Sequence, residues 1–166
     1  MSGVRTKIKS PSALARELSA LRRTQKGKAT RVVFTNGCFD LLHAGHVTYL
    51  EKARKQGDLL IVALNTDESV RRLKGPQRPM NPLADRLLVM ASLGFVDRVT
   101  WFSEDTPLEL IQKLTPQVLI KGADYSVSQI VGADWVIQNG GKVKTVALVP
   151  GKSTTALIEK AIKPKP

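Results

Sequence analysis

The chain is almost without cysteine: Cys38 is the single thiol in 166 residues. An internal disulfide is excluded, and the composition suits a reducing, cytoplasmic setting. Long apolar runs are lacking too. The run at 59–64 is among the longest, far below the roughly 20 residues of a membrane-spanning helix. No apolar stretch follows Arg5, Lys7 and Lys9, so no signal peptide is expected. No Cys-x-x-Cys spacing exists, which removes the usual zinc frameworks, and no protein-held metal is expected. Histidine is scarce: His43 and His46 are the only two, and they stand three residues apart.

Hydrophobic content of 42% and charged content of 24% are ordinary for a globular protein, and the length suits one domain. The net charge of +12 is unevenly placed. Residues 1–31 hold nine Lys/Arg against Glu17 alone, and residues 151–166 hold four Lys against Glu159. The body between them is nearly neutral. A division follows: a basic N-terminal arm with a leading helix at 1–30, a domain at 31–162 and a basic tail at 163–166. Such an arm can bind nucleic acid or be a solvated tail. Because the excess sits at the ends, nucleic acid is not the expected partner.

Leu14, Leu18 and Leu21 share a face of a helix over 10–24, with Ser12 as cap and Gly27 as stop. Apolar, β-branched runs at 31–35, 59–64, 96–102, 118–121 and 143–149 read as strands. Between and after them, 46–56, 69–73, 83–93, 107–114, 128–138 and 153–162 read as helices, and 74–82 as a Pro/Gly-rich loop. Strands alternating with helices, several apolar on both faces, predict an α/β fold. It is a Rossmann-like, doubly wound parallel sheet of five strands flanked by helices. Ligands of such sheets bind beyond the carboxyl ends of the strands.

Two motifs sit there. The first is Thr35-Asn36-Gly37-Cys38-Phe39-Asp40-Leu41-Leu42-His43-Ala44-Gly45-His46. Gly37 offers a sharp turn that exposes the amides of Cys38 and Phe39. His43 and His46 can share a face at a helix start, with Gly45 clearing space between them. Free N–H groups and two imidazoles at a helix N-terminus favour a phosphate. Ordinary surface histidines, a metal pair with Asp40 and Cys38, or a Gly45 that serves packing alone remain the alternatives. The second motif is Gly151-Lys152-Ser153-Thr154-Thr155. It is not a P-loop, because the glycine required five positions earlier is Val146. It reads either as a plain helix cap or as a second anion site.

Together these motifs resemble the nucleotidyltransferase superfamily with a His-x-Gly-His signature. The resemblance extends through Lys74-Gly75-Pro76-Gln77-Arg78-Pro79-Met80-Asn81-Pro82 and Lys121-Gly122-Ala123-Asp124-Tyr125. It narrows to the cytidylyltransferase-like branch, and from residue 32 to about 160 the chain is similar to adenylyltransferases that make ADP-heptose. Ala123 stands where many relatives have Gly. The resemblance implies transfer of AMP from ATP to a sugar 1-phosphate, with pyrophosphate released and Mg²⁺ carried mainly by the nucleotide phosphates. It implies a homo-oligomer, a dimer by family habit, and a separate sugar kinase supplying the acceptor.

His43, His46 and Lys74 are the expected catalytic residues. Gly37, Cys38, Phe39, Gly45, Lys121, Asp124, Ser153, Thr154 and Thr155 are expected on the nucleotide, and Asp40, Asn65, Asp67 and Arg78 on the acceptor. Arg86, inside a helix pattern, reads as a surface ion-pair partner. The alternatives are another phosphorylated acceptor, such as glycerol 3-phosphate with CTP, and a non-catalytic nucleotide- or RNA-binding module.

Overall fold

The computed structural model describes residues 3–24, 29–123, 125–147 and 149–162, with residue 162 as backbone only. The expected stop at Gly27, the site residue Asp124 and the tail 163–166 lie outside the described residues. Five strands run parallel: β1 Val32–Gly37, β2 Leu59–Asn65, β3 Arg98–Phe102, β4 Val118–Gly122 and β5 Lys142–Val146. Their order is β3-β2-β1-β4-β5. The chain winds outward from β1 to β3, then crosses back to lay β4 on the other side of β1. The doubly wound parallel sheet expected from the sequence is the observed one. Its reversal of direction opens a crevice at the carboxyl ends of β1 and β4.

The helices are α1 Pro11–Thr24, α2 Ala44–Arg54, α3 Asp67–Lys74, α4 Leu83–Ser92, α5 Leu108–Leu114, α6 Ala133–Gln138 and α7 Thr154–Ile162. The strand period of two sorts the core into two layers. Val33 faces Tyr49, Leu50 and Ala53 of α2 and Leu87 and Met90 of α4. Val32 and Phe34 face Leu14 and Leu18 of α1, Leu110, Ile111 and Leu114 of α5, and Val136 of α6. The central strands β1, β2 and β4 are buried on both sides, which is why they read as continuous apolar runs. β5 is an edge strand with Lys142 and Thr145 exposed, and it ends at Val146 instead of running to 149.

Two further expectations are corrected. The helix expected over 128–138 is broken into a 3₁₀ turn, Val127–Gln129, and α6. Gly132 adopts φ +86°, and a Cβ there would lie 2.7 Å from Ile111 Cδ1, so the chain bends tightly against α5. Ser126 and Gln129 close a capping box on the first piece. The segment set apart as an arm also packs on the body over its described part. Leu14 and Leu18 are completely buried, Ile8 bridges Val99 of β3, and Arg22 donates to Leu114 O at 2.7 Å. The leading helix has an apolar face to bury, and the sheet face beside α5 receives it.

Candidate active site

β1 ends at Gly37, and the chain enters the crevice. Gly37 is not the sharp turn expected of it. A Cβ there would sit 3.1 Å from the Phe39 ring, so its task is to let that ring fold back over the strand end. The turn is made by Phe39 itself, at φ +45°, a left-handed conformation that a non-glycine residue rarely adopts. The loop then reaches His43, the N-cap of α2, whose side chain makes no capping bond. The imidazole therefore remains turned to the crevice.

His43 and His46 stack, with ring centroids 3.8 Å apart and planes inclined by 23°, and the Phe39 ring meets His46 edge-on at 5.2 Å. Both Nδ1 atoms are buried without a hydrogen-bond partner. Burial lowers the pKa of both rings; Lys152 pushes His43 further down, and His43 pushes His46, which falls to about 4. The pair is neutral at pH 7, and two cations could not share this stack. Gly45 is required beside it. An added Cβ would meet His43 Nδ1 at 2.9 Å and Lys152 Cβ at 3.1 Å.

The crevice is a cleft of about 590 Å³. Lys121, at the end of β4, points its Nζ at Asn36 O and Oδ1, both 3.2 Å away, and lies 5.4 Å from the Tyr125 ring centre. Lys74, the last residue of α3, is an exposed ammonium on the opposite wall. Ser153 caps α7 by accepting from Ala156 N at 3.1 Å, and Thr154 donates to Leu41 O at 3.2 Å, which ties α7 to the loop after β1. Both hydroxyl residues, with Thr155 and Lys152, line the cleft, so the cap of α7 stands at the cleft wall. Tyr49 braces the floor, its hydroxyl shared with Thr35 Oγ1 at 2.7 Å and donated to Ile120 O at 3.1 Å.

On the other wall the expected acceptor residues have partners within the chain. Asp40 is buried, and its carboxylate accepts from Arg78 Nε and from the backbone N–H groups of Met80 and Asn81. Burial alone would raise its pKa, but those donors outweigh it and hold the carboxyl below its usual range. Asp40 and Arg78 thus clasp the 75–82 loop to the cleft wall. Asn65 donates to Ser69 Oγ and faces Cys38 Sγ at 3.9 Å. Burial raises the Cys38 thiol pKa, more than the nearby cations lower it. Asp67 does not line the cleft; it accepts from Arg86 at 2.6 Å. Arg86 is no surface partner, being only 2% exposed. The sequence reading expected its pairing with a carboxylate but not its burial, and it missed Tyr49, Asp105 and Thr106, which line the cleft. Only the position of 105–106 directly after β3 signalled them.

A family model described as Cytidylyltransferase-like matches residues 34–159, from the first central strand into α7. The chain belongs to the cytidylyltransferase-like family. Among its relatives, the bifunctional protein HldE of Marinomonas sp. (strain MWYL1) is 57% identical over 131 residues, covering 79% of this chain and 28% of that protein. The bifunctional protein HldE of Geotalea uraniireducens (strain Rf4) is 55% identical over 154 residues, 93% of this chain and 31% of the relative. The cytidylyltransferase-like chain therefore spans less than a third of the length of these curated relatives. Among solved structures, the lipopolysaccharide core biosynthesis protein from Thermoplasma volcanium GSS1 matches with a TM-score of 0.58 and 28% identity over 72% of this chain and 97% of that one. Pantoate-beta-alanine ligase from Francisella tularensis shares the fold, with a TM-score of 0.57 at 18% identity over 84% of this chain and 66% of that one.

Proposed function

We propose that this chain transfers AMP from ATP to a sugar 1-phosphate, D-glycero-β-D-manno-heptose 1-phosphate, and releases pyrophosphate and ADP-heptose. The observation that carries the nucleotidyl-transfer reading is the meeting of two stacked imidazoles, three lysines and a helix start with three hydroxyls at one switch point. The identity with bifunctional HldE proteins supports the heptose acceptor.

The acceptor phosphate brings its own anionic nucleophile, so the protein needs no strong base. It must hold the attacking oxygen, the α-phosphorus and the leaving oxygen in line, and stabilise charge that grows on the leaving pyrophosphate. His43 and His46 donate to the triphosphate from the α2 start, and Lys74 and Lys121 approach it from two walls. Gly37 and Gly45 border the nucleotide by making room for the Phe39 and His43 rings, the Cys38 and Phe39 amides face the phosphates, and Ser153, Thr154 and Thr155 receive the β- and γ-phosphates. Asp124 belongs with the nucleotide. Asn65, Asp40 and Arg78 border the acceptor side; the last two engage it when the 75–82 loop rearranges.

Among the described residues no three of His, Cys, Asp and Glu gather as a metal site. The cationic and hydroxyl-rich wall fits Mg²⁺ entering on the triphosphate, since that ion keeps most of its waters and phosphate ligands. When bound there it neutralises phosphate charge. No described helix is long and apolar enough to cross a membrane. We place the reaction in the cytoplasm, with a sugar kinase supplying the acceptor and a homodimer as the working form.

The test is pyrophosphate release from each nucleoside triphosphate paired with a panel of phosphorylated acceptors, with Mg²⁺ present. ATP with heptose 1-phosphate should be the fastest pair. Faster turnover of CTP with glycerol 3-phosphate would remove the heptose reading, and no turnover of any pair by folded protein would remove nucleotidyl transfer.

A further inference from the structure

Arg86 is a cation removed from water near the site yet apart from its surface. Its guanidinium donates from Nη1 to Cys38 O at 2.8 Å and Asn65 O at 2.9 Å, from Nε to Asn81 O at 3.0 Å, and from Nη2 to Asp67 Oδ1 at 2.6 Å. One side chain thus joins the ends of β1 and β2, the start of α3 and the end of the 75–82 loop. Three of its four partners are neutral carbonyls, so charge pairing alone does not account for its place. A planar fork with several fixed donors does, and lysine cannot reproduce it.

The contact to Cys38 O has a directional consequence. A trans peptide is planar, and its C=O and N–H point opposite ways. Drawing the Cys38 carbonyl toward Arg86 turns the Phe39 N–H away from it. That N–H has no partner among the described residues, and both Cys38 and Phe39 line the cleft. Phe39 sits in the left-handed region at φ +45°, which is unfavourable for a residue with a side chain, so the peptide needs something to hold it. We propose that Arg86 is a positioning residue, which fixes the Cys38–Phe39 peptide so that the Phe39 N–H is presented to a phosphate oxygen of the bound nucleotide. This rests on the polyphosphate reading of the cleft.

A donor aimed at developing charge is worth about 10²–10³ in turnover. Arg86→Lys retains the charge but not the fork, so kcat should fall about 10- to 100-fold, short of that full loss, while the nucleotide KM changes far less. A residue serving stability alone would lower the melting temperature and leave kcat of the folded fraction intact. The second readout is the amide NMR spectrum of ¹⁵N-labelled full-length chain titrated with α,β-methylene-ATP and Mg²⁺. In the wild type the Phe39 amide should move strongly downfield as it gains an anionic acceptor; in Arg86→Lys that shift should collapse. A wild-type Phe39 amide that stays still while other cleft amides respond overturns the proposal and leaves the nucleotide site standing. A spectrum with no saturable response removes the nucleotide reading itself. If Arg86→Lys does not fold, the wild-type titration alone decides.

Discussion

A neutral imidazole donates one hydrogen bond to a phosphate; an imidazolium adds a full charge. At 3.8 Å, the stacked His43 and His46 can hold one such charge at most, and in the free protein they hold none at pH 7. A polyphosphate reverses the local field and favours protonation. Nucleotide affinity should therefore strengthen from pH 8 to pH 6, with net proton uptake by calorimetry in buffers of different ionisation enthalpy; pH-independent affinity would sink this linkage. The stability effect has the opposite sense. A histidine whose folded pKa is depressed binds more protons when unfolded, so its contribution is lost as pH falls from about 6.5 toward the folded value of about 4. The urea midpoint should drop between pH 7 and 5, less so in His46→Gln. For turnover, His46→Ala should cost about 10²–10³, the scale of a deleted transition-state donor; wild-type turnover would take His46 out of the mechanism. The two histidines were legible in the sequence because there are only two and both follow a strand. Arg86 was not, because three of its partners are backbone carbonyls from separate elements, and no side-chain spacing encodes those.

At the scale of elements, glycine at the start of α2 poses a choice between helix stability and site geometry. Alanine should favour a helix by up to about 1 kcal/mol over glycine. The same methyl would press on His43 Nδ1 and Lys152 Cβ. Gly45→Ala should thus keep a near-native melting temperature while losing at least about tenfold in kcat, on the scale of misplaced catalytic groups. Unchanged kinetics would show that the α2 and α7 starts need no such close approach. The 75–82 loop tests the clasp: Asp40→Asn removes an anionic acceptor from three donors, and trypsin should then cut after Lys74 faster than in the wild type. An equal cutting rate would mean that the loop is held by other contacts. Helix and strand types were legible here from apolar period. The break at Gly132 was not, since only Ile111 on a neighbouring helix makes the bend close-packed.

Whole-molecule organisation follows from where the charge and the leucines of the first 24 residues go. The charge count set this segment apart from the nearly neutral body, and that count is correct. It says nothing about packing, which the Leu14/Leu18/Leu21 spacing hinted at and the sheet decides. Leu14 and Leu18 are buried on the layer with α5, while Arg22 caps the carboxyl end of α5 through Leu114 O and Thr115 O. Truncating one buried leucine to alanine costs about 2–5 kcal/mol, and a domain has about 5–15 kcal/mol in total. Removing both leucines with their helix takes most of that margin and bares an apolar sheet face. Deletion of Met1–Thr24 should yield insoluble or molten protein, and Leu18→Ala should be soluble with a clearly lower melting temperature. Because α1 lies against the α5 layer while the histidine helix α2 lies against the other, Leu18→Ala should keep kcat within about threefold below its melting point, as expected for a site with which it shares no partners. A deletion product that melted like the wild type would make the segment a mere appendage. A folded Leu18→Ala protein with little turnover would instead show that the N-terminal helix shapes the cleft through the sheet.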